Sequence, residues 1–196
     1  MLGSGKGGSI IGQLFRPDPT AAVARRLYQA VVAQARLPVF FAEWEVPDTI
    51  DGRFEMVTLH AHLLLRRLKD GGAETASLAQ ALFDVMFADM DASLREMGAG
   101  DLGVGRRVKQ MATGFYGRVA AYDAGLAGGA EVLGAALRRN LFGTVSPSPE
   151  AVAATADYVA RAAATLARQP LDRIAGGTVA FAVAKDGESG EPPKNH

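Results

Sequence analysis

Apolar residues recur at helical spacing through most of this chain, with proline, glycine and small polar residues at the breaks. In "DPTAAVARRLYQAVVAQARLP", Val23, Leu27, Ala30, Val31 and Ala35 fall on one face. Asp18 and Pro19 open that helix and Pro38 stops it. The aromatic stretch Val39 to Phe54 contains Pro47 and the turn-like pair Asp51-Gly52, and it reads as an extended connection packed on the core. A helix then runs from Phe54 to about Lys69 and ends at Gly71 and Gly72. The next carries Leu78, Leu82, Val85 or Met86, Met90, Leu94 and Met97. After a glycine-rich break, Val104, Val108, Met111, Phe115 and Val119 mark another, and "AEVLGAALRRNLF" a shorter one. Ser148 and Pro149 open a last long helix, which stops at Pro170. "TVAFAVA" is a candidate strand, and the polar tail "KDGESGEPPKNH" is expected to be disordered.

The pattern predicts an all-α fold, a single globular multi-helix domain with at most one short strand near the C-terminus. Residues 1–18 are expected to be flexible, 19–170 to form the helical domain, and 171–196 to be an extension whose last 12 residues are disordered. Composition agrees with a packed core: 48 % of the 196 residues are hydrophobic and 21 % are charged. Lys plus Arg and Asp plus Glu both number 21, so the net charge is zero, and no basic excess argues for DNA binding. There is no cysteine, which excludes disulfides, thiolate metal centres and thiol catalysis. No secretory signal is recognisable, and no apolar run approaches the roughly 18 residues that span a bilayer. A cytoplasmic location is expected.

The segment "MGAGDLGVGRRVK" holds a literal G-x-G-x-x-G at Gly98, Gly100 and Gly103. A dinucleotide loop needs a strand before its glycines. Here the preceding residues read as a long helix. Gly98 or Gly100 therefore ends that helix, and Asp101 starts the next, where its carboxylate favours the helix N-terminus and would repel a phosphate. Around this turn the charges contrast. Asp84, Asp89, Asp91 and Glu96 outnumber Arg95 on one side; Arg106, Arg107, Lys109 and Arg118 outnumber Asp101 on the other. The two strips either pair with each other across a helical hairpin or face a partner.

No catalytic motif is present. His60 and His62, at i and i+2, point to different sides of a helix, which predicts one at the core edge and the other towards solvent. The di-iron spacing, H-E-x-x-H and G-x-S-x-G are missing. An alternative reading is a helical haem-, quinone- or metal-binding enzyme using His60 with Asp84 or Asp91. Met86, Phe87, Met90 and Met97, with Met111, Phe115 and Tyr116, belong mostly to the core. They nevertheless cover more than one helix face, and adaptable methionine and aromatic surfaces suit apolar partners.

Two stretches, "VPDTIDGRFEMVTLHAHLLLRRL" and "LAQALFDVMFADMDASLREMGAGDLGVGRRVKQMATGFYGRVAAY", resemble the ubiquinol–cytochrome c chaperone family. The likeness runs from Ala21 to Gln169, is densest from Val46 to Tyr122, and includes F-Y-G-R at Phe115 to Arg118. It implies an α-helical, non-enzymatic assembly factor for the cytochrome bc complex (complex III) with no cofactor of its own. It implies newly made cytochrome b as client, the ribosome near its exit tunnel as a further contact, and work at the inner face of a membrane. Mitochondrial members act with a small partner subunit. The residues that match the family's acidic helix are Asp84, Asp89, Asp91, Arg95 and Glu96. Gly98, Gly100, Asp101, Leu102 and Gly105 match its loop, with Gly103 between them. Arg106, Arg107 and Lys109 stand at its basic start, and Met86, Phe87, Met90, Tyr116 and Arg118 complete the set expected to touch client or partner.

Overall fold

A computed structural model describes residues 18–96 and 101–184, with residues 101–111 described as helical backbone only. The described residues form eight helices: α1 (Pro19–Ala35), α2 (Pro38–Ala42), α3 (Ile50–Lys69), α4 (Ala73–Glu96), α5 (Asp101–Gly128), α6 (Ala130–Asn140), α7 (Pro149–Arg168) and α8 (Leu171–Ala175). No strand occurs among them.

Local chemistry sets the helix starts. Asp18 accepts from the Thr20 amide at 2.9 Å, and Ser148 Oγ from the Ala151 amide at 3.2 Å, each with proline at the following position. The connection expected to be extended over Val39 to Phe54 contains α2, which sinks Phe40 into the core. Helix α3 starts at Ile50, ahead of Phe54, because Thr49 Oγ1 caps the Gly52 amide at 3.1 Å. Asp51-Gly52 is thus helix and not turn. Gly52 is needed for space: a Cβ there would overlap the Pro47 carbonyl oxygen.

Helix α3 is the centre of the molecule. Every residue from Glu55 to Leu64 is buried, with α1, α4 and α7 packed around it. Helix α4 shows a clean amphipathic stripe, burying Leu78, Leu82, Met86, Met90 and Leu94. Helices α5 and α6 form a tight hairpin in which Gly125 lies against Leu133 with no room for a Cβ.

"TVAFAVA" does not form a strand, for among the described residues there is no second strand to pair with. It runs across the core as a strap whose backbone polar groups are met by side chains. Gln169 Nε2 donates to the Ala180 carbonyl at 2.7 Å, and the Ala180 amide returns a bond to Gln169 Oε1 at 2.8 Å. Gln34 Nε2 donates to Ala182 O at 3.1 Å, and Arg161 donates to Val183 O at 2.9 Å.

Candidate functional site

The outer face of α4 carries the acidic residues of the sequence pattern, each in its own setting. Asp84 is exposed and accepts from Gln80 Nε2 at 2.8 Å. Asp89 reaches α1, where Oδ2 accepts from the Tyr28 hydroxyl at 2.7 Å. Asp91 pairs with Arg95 one turn on at 2.7 Å, and Glu96 is exposed. Met86 and Met90 face inward. Phe87 is half-buried, stacked 4.5 Å from Phe83, and Phe83 contacts Phe115 and Tyr116 of α5. Tyr116 is 65 % exposed, the most exposed large apolar side chain among the described residues. Between this cluster and the end of α3 lies a groove of about 450 Å³, floored by Leu65, Ala76, Ala79 and Phe115, with Lys69 at its edge. Tyr116 and Phe83 form its aromatic wall.

Of the loop residues, Gly98 and Gly100 lie outside the described residues, and Asp101, Leu102, Gly103 and Gly105 belong to the first turns of α5. Arg106, Arg107 and Lys109 are placed on α5 as backbone. Arg118 does not reach the acids of α4. It crosses to α3, where Nε lies 2.6 Å from Glu55 Oε2 and a second, shorter contact joins its Nη2 to Oε1. This fork-on-fork pair is largely buried, and burial pushes the Glu55 carboxyl up despite the guanidinium beside it.

Neither histidine faces water, contrary to the i, i+2 expectation: α3 is enclosed on all sides, so both faces are core. His60 Nδ1 lies 2.8 Å from the Met56 carbonyl, which can only accept, so the proton is on Nδ1. Nε2 then accepts from the Tyr158 hydroxyl at 2.7 Å, and Tyr158 accepts from Gln34 at 2.9 Å. Burial lowers the His60 pKa to about 4. The chain of bonds closes with Phe40, Trp44 and Phe181 packed about it, while Asp84 is exposed and bonded to Gln80 and Asp91 is paired with Arg95. His60 is thus not placed to work with either aspartate. Among the described residues no three His, Cys, Asp or Glu side chains gather as a metal site.

His62 belongs to a second polar cluster that sequence reasoning missed. Glu55, Thr58, His62 and Arg66 follow one another along one face of α3, opposite Arg118, Tyr122 and Asp123 of α5. His62 Nε2 and Arg66 Nε each lie 3.3 Å from Asp123 Oδ1. The spacing of polar residues at 55, 58, 62 and 66, which falls on one helix face, was the available signal. A cleft of about 360 Å³ opens beside Glu55 and Arg118, walled by Ile50, Phe54, Leu94 and the end of α6.

The ubiquinol-cytochrome C chaperone family description matches residues 42–181. Ubiquinol-cytochrome-c reductase complex assembly factor 1 of Xenopus laevis is 26 % identical over 136 residues, covering 69 % of this chain and 68 % of that protein. The human protein of the same name is 26 % identical over 136 residues, and the match spans 46 % of its length. The crystal structure of the Cbp3 homolog from Brucella abortus superposes with a TM-score of 0.78 at 40 % identity, covering 91 % of this chain and all of that one.

Proposed function

The chain belongs to the ubiquinol-cytochrome C chaperone family, and on that premise we propose that it binds newly made cytochrome b and promotes its entry into complex III. The observation that carries this reading is the surface where α4 meets α5. Exposed Tyr116 and half-buried Phe83 border an apolar groove, Phe87 packs against Phe83, and the exposed Asp84 carboxylate is bonded to Gln80 of the groove's lining. Segments destined for a membrane are apolar and carry basic flanks on the side that is not translocated. Aromatic side chains take up the apolar part at low entropic cost, and Asp84 meets a basic flank.

Binding is non-catalytic in this reading: the client is held, and no bond is made or broken. No described helix is long and apolar enough to cross a membrane. In this reading the chain works at the inner face of the membrane, where Arg106, Arg107 and Lys109 of α5 would meet ribosomal RNA or anionic lipid.

Deletion of the gene in its host tests the reading. The reduced-minus-oxidised spectrum of the membranes is expected to lose its b-type signal with messenger intact, and to regain it with the wild-type gene. An unchanged spectrum with normal complex III activity would overturn the assignment of the client.

A further inference from the structure

The ends of α1 and α4 and the first turns of α3 do not close on one another. Between them lies a cleft of about 200 Å³, which shares no lining residue with the groove at Tyr116. Its floor is apolar: Val57, Met90 and Leu94 are buried, and Phe54 is half-buried. Ile50, the first residue of α3, stands at the mouth with 60 % of its surface exposed. Ile50, Phe54 and Leu94 also line the cleft beside Glu55 and Arg118, so the two cavities adjoin.

Five polar side chains complete the lining, and three of them are engaged. The Tyr28 hydroxyl donates to Asp89 Oδ2 at 2.7 Å. Arg53 donates through Nε to Asp48 at 2.6 Å, with its guanidinium over the Phe41 ring. The Arg36 guanidinium and the Ser93 hydroxyl are exposed and have no hydrogen-bond or ion-pair partner among the described residues. A guanidinium only donates, so at the edge of an apolar cavity it is matched by an anion. Asp89, the one carboxylate among the described lining residues, is held by Tyr28, which sits about 12 Å back along α1 from Arg36.

We infer that this cleft binds an anionic single-chain amphiphile: an acyl chain lies on Phe54, Val57, Met90 and Leu94, and Arg36 meets its anionic end with Ser93 beside it. Apolar walls with a few convergent polar groups are the usual make-up of a small-molecule site. The volume admits about seven groups the size of a water molecule or a methylene, which suits a run of chain and not a nucleotide. A longer chain passes over Ile50 into the adjoining cleft. The other cleft between arginines, at Arg66 and Arg67, holds only about 90 Å³. A free fatty acid and an anionic lipid of a bilayer share this chemistry. The inference goes beyond the client assignment and does not rest on it.

Met90 gives the test a reporter on the floor of the cleft, and Met56, buried elsewhere in the core, gives it a reference. The full chain, labelled with carbon-13 on its methionine methyl groups, is titrated with decanoate. The Met90 resonance is expected to shift saturably while that of Met56 stays in place. Decyltrimethylammonium, the same chain with the opposite charge, is expected to bind about ten-fold more weakly. Arg36→Gln is expected to remove that preference, and Ser93→Trp to abolish binding by filling the mouth. Both substitutions stand at exposed positions and are expected to leave Tm unchanged. Flotation with phosphatidylcholine vesicles, with and without phosphatidylglycerol, separates the two sources. Flotation that needs phosphatidylglycerol and is lost in Ser93→Trp assigns a bilayer lipid; decanoate binding without flotation assigns a free fatty acid. Either outcome supports the site. A Met90 resonance unmoved by decanoate, together with no flotation that Ser93→Trp removes, overturns the inference. Equal binding of the two charges overturns it as well. None of these readouts involves cytochrome b, so failure here leaves the client assignment standing, and the reverse holds too.

Discussion

The Tyr158 hydroxyl donates to His60 Nε2 at 2.7 Å, in a neutral imidazole whose Nδ1 proton is donated to the Met56 carbonyl. Protonating the ring would bury a charge in a fully enclosed site and force the Tyr158 hydroxyl to turn its proton away from Nε2. The pKa of about 4 in the folded chain lies below the ordinary value of 6.5, so between these two values the unfolded chain binds more protons. Stability from this group is therefore complete above pH 6.5 and is lost as pH falls towards 4, by about 3 kcal/mol over the whole window. His62, also lowered by burial, adds a loss of the same sign, whereas Glu55, raised by burial, opposes it. Urea unfolding at pH 7.5 and pH 4.5 is expected to show the loss, and His60→Leu to reduce the pH dependence. An identical slope in the variant would assign the effect elsewhere.

Removing the partner of that bond isolates its share. Tyr158→Phe leaves His60 Nε2 without a donor and frees the Gln34 amide, which keeps only its bond to Ala182 O at 3.1 Å. An unsatisfied buried acceptor costs about 1–3 kcal/mol. A drop in unfolding free energy of that size at pH 7.5 is expected, with looser attachment of the strap over residues 178–184. The second effect is read as faster proteolysis near Val183, and equal cleavage of the two proteins would exclude it.

Gly52 offers a backbone test at the entry to α3. A methyl group there meets the Pro47 carbonyl, which belongs to the same connection and has no rotamer to move. Gly52→Ala is expected to cost about 1–3 kcal/mol by overpacking, although alanine is the better helix former. A stabilised variant in thermal melts would show that the connection yields easily.

The helices, their caps and most of their inward residues were legible because they depend on neighbours in sequence. Asp18, Ser148 and the stripe Leu78–Leu82–Met86–Met90–Leu94 needed no knowledge of the rest of the chain. What escaped depends on tertiary surroundings. A run of alternating polar and apolar residues marks a surface helix only if the helix has a surface, and α3 between Glu55 and Leu64 has none; the burial of both His60 and His62 follows from that alone. "TVAFAVA" has strand composition but no partner strand among the described residues, so Gln34, Gln169 and Arg161 take the place of a ladder. The acids at Asp84, Asp89 and Asp91 looked equivalent in sequence. Contacts from Gln80, Tyr28 and Arg95 distinguish them, and Arg118, counted with the basic strip, turns out to serve α3.

Tyr116 separates stability from binding. Its ring is 65 % exposed, so Tyr116→Ser is expected to change unfolding free energy by no more than about 0.5 kcal/mol. Phe115, one residue before it, is buried, and Phe115→Ala is expected to cost about 3–5 kcal/mol. If the α4–α5 surface holds the apolar client, Tyr116→Ser in a fully folded protein lowers recovery of cytochrome b in co-purification several-fold, an anchor in such a surface being worth about 1–2 kcal/mol. Asp84→Lys acts on the same surface through charge. Repelling a basic flank, it is expected to weaken capture further as salt is lowered, whereas Tyr116→Ser is insensitive to salt because it removes only apolar contact. Normal capture by both folded variants would move the binding surface away from α4 and α5, and the cleft at Ile50 and Phe54 would be the next to vary.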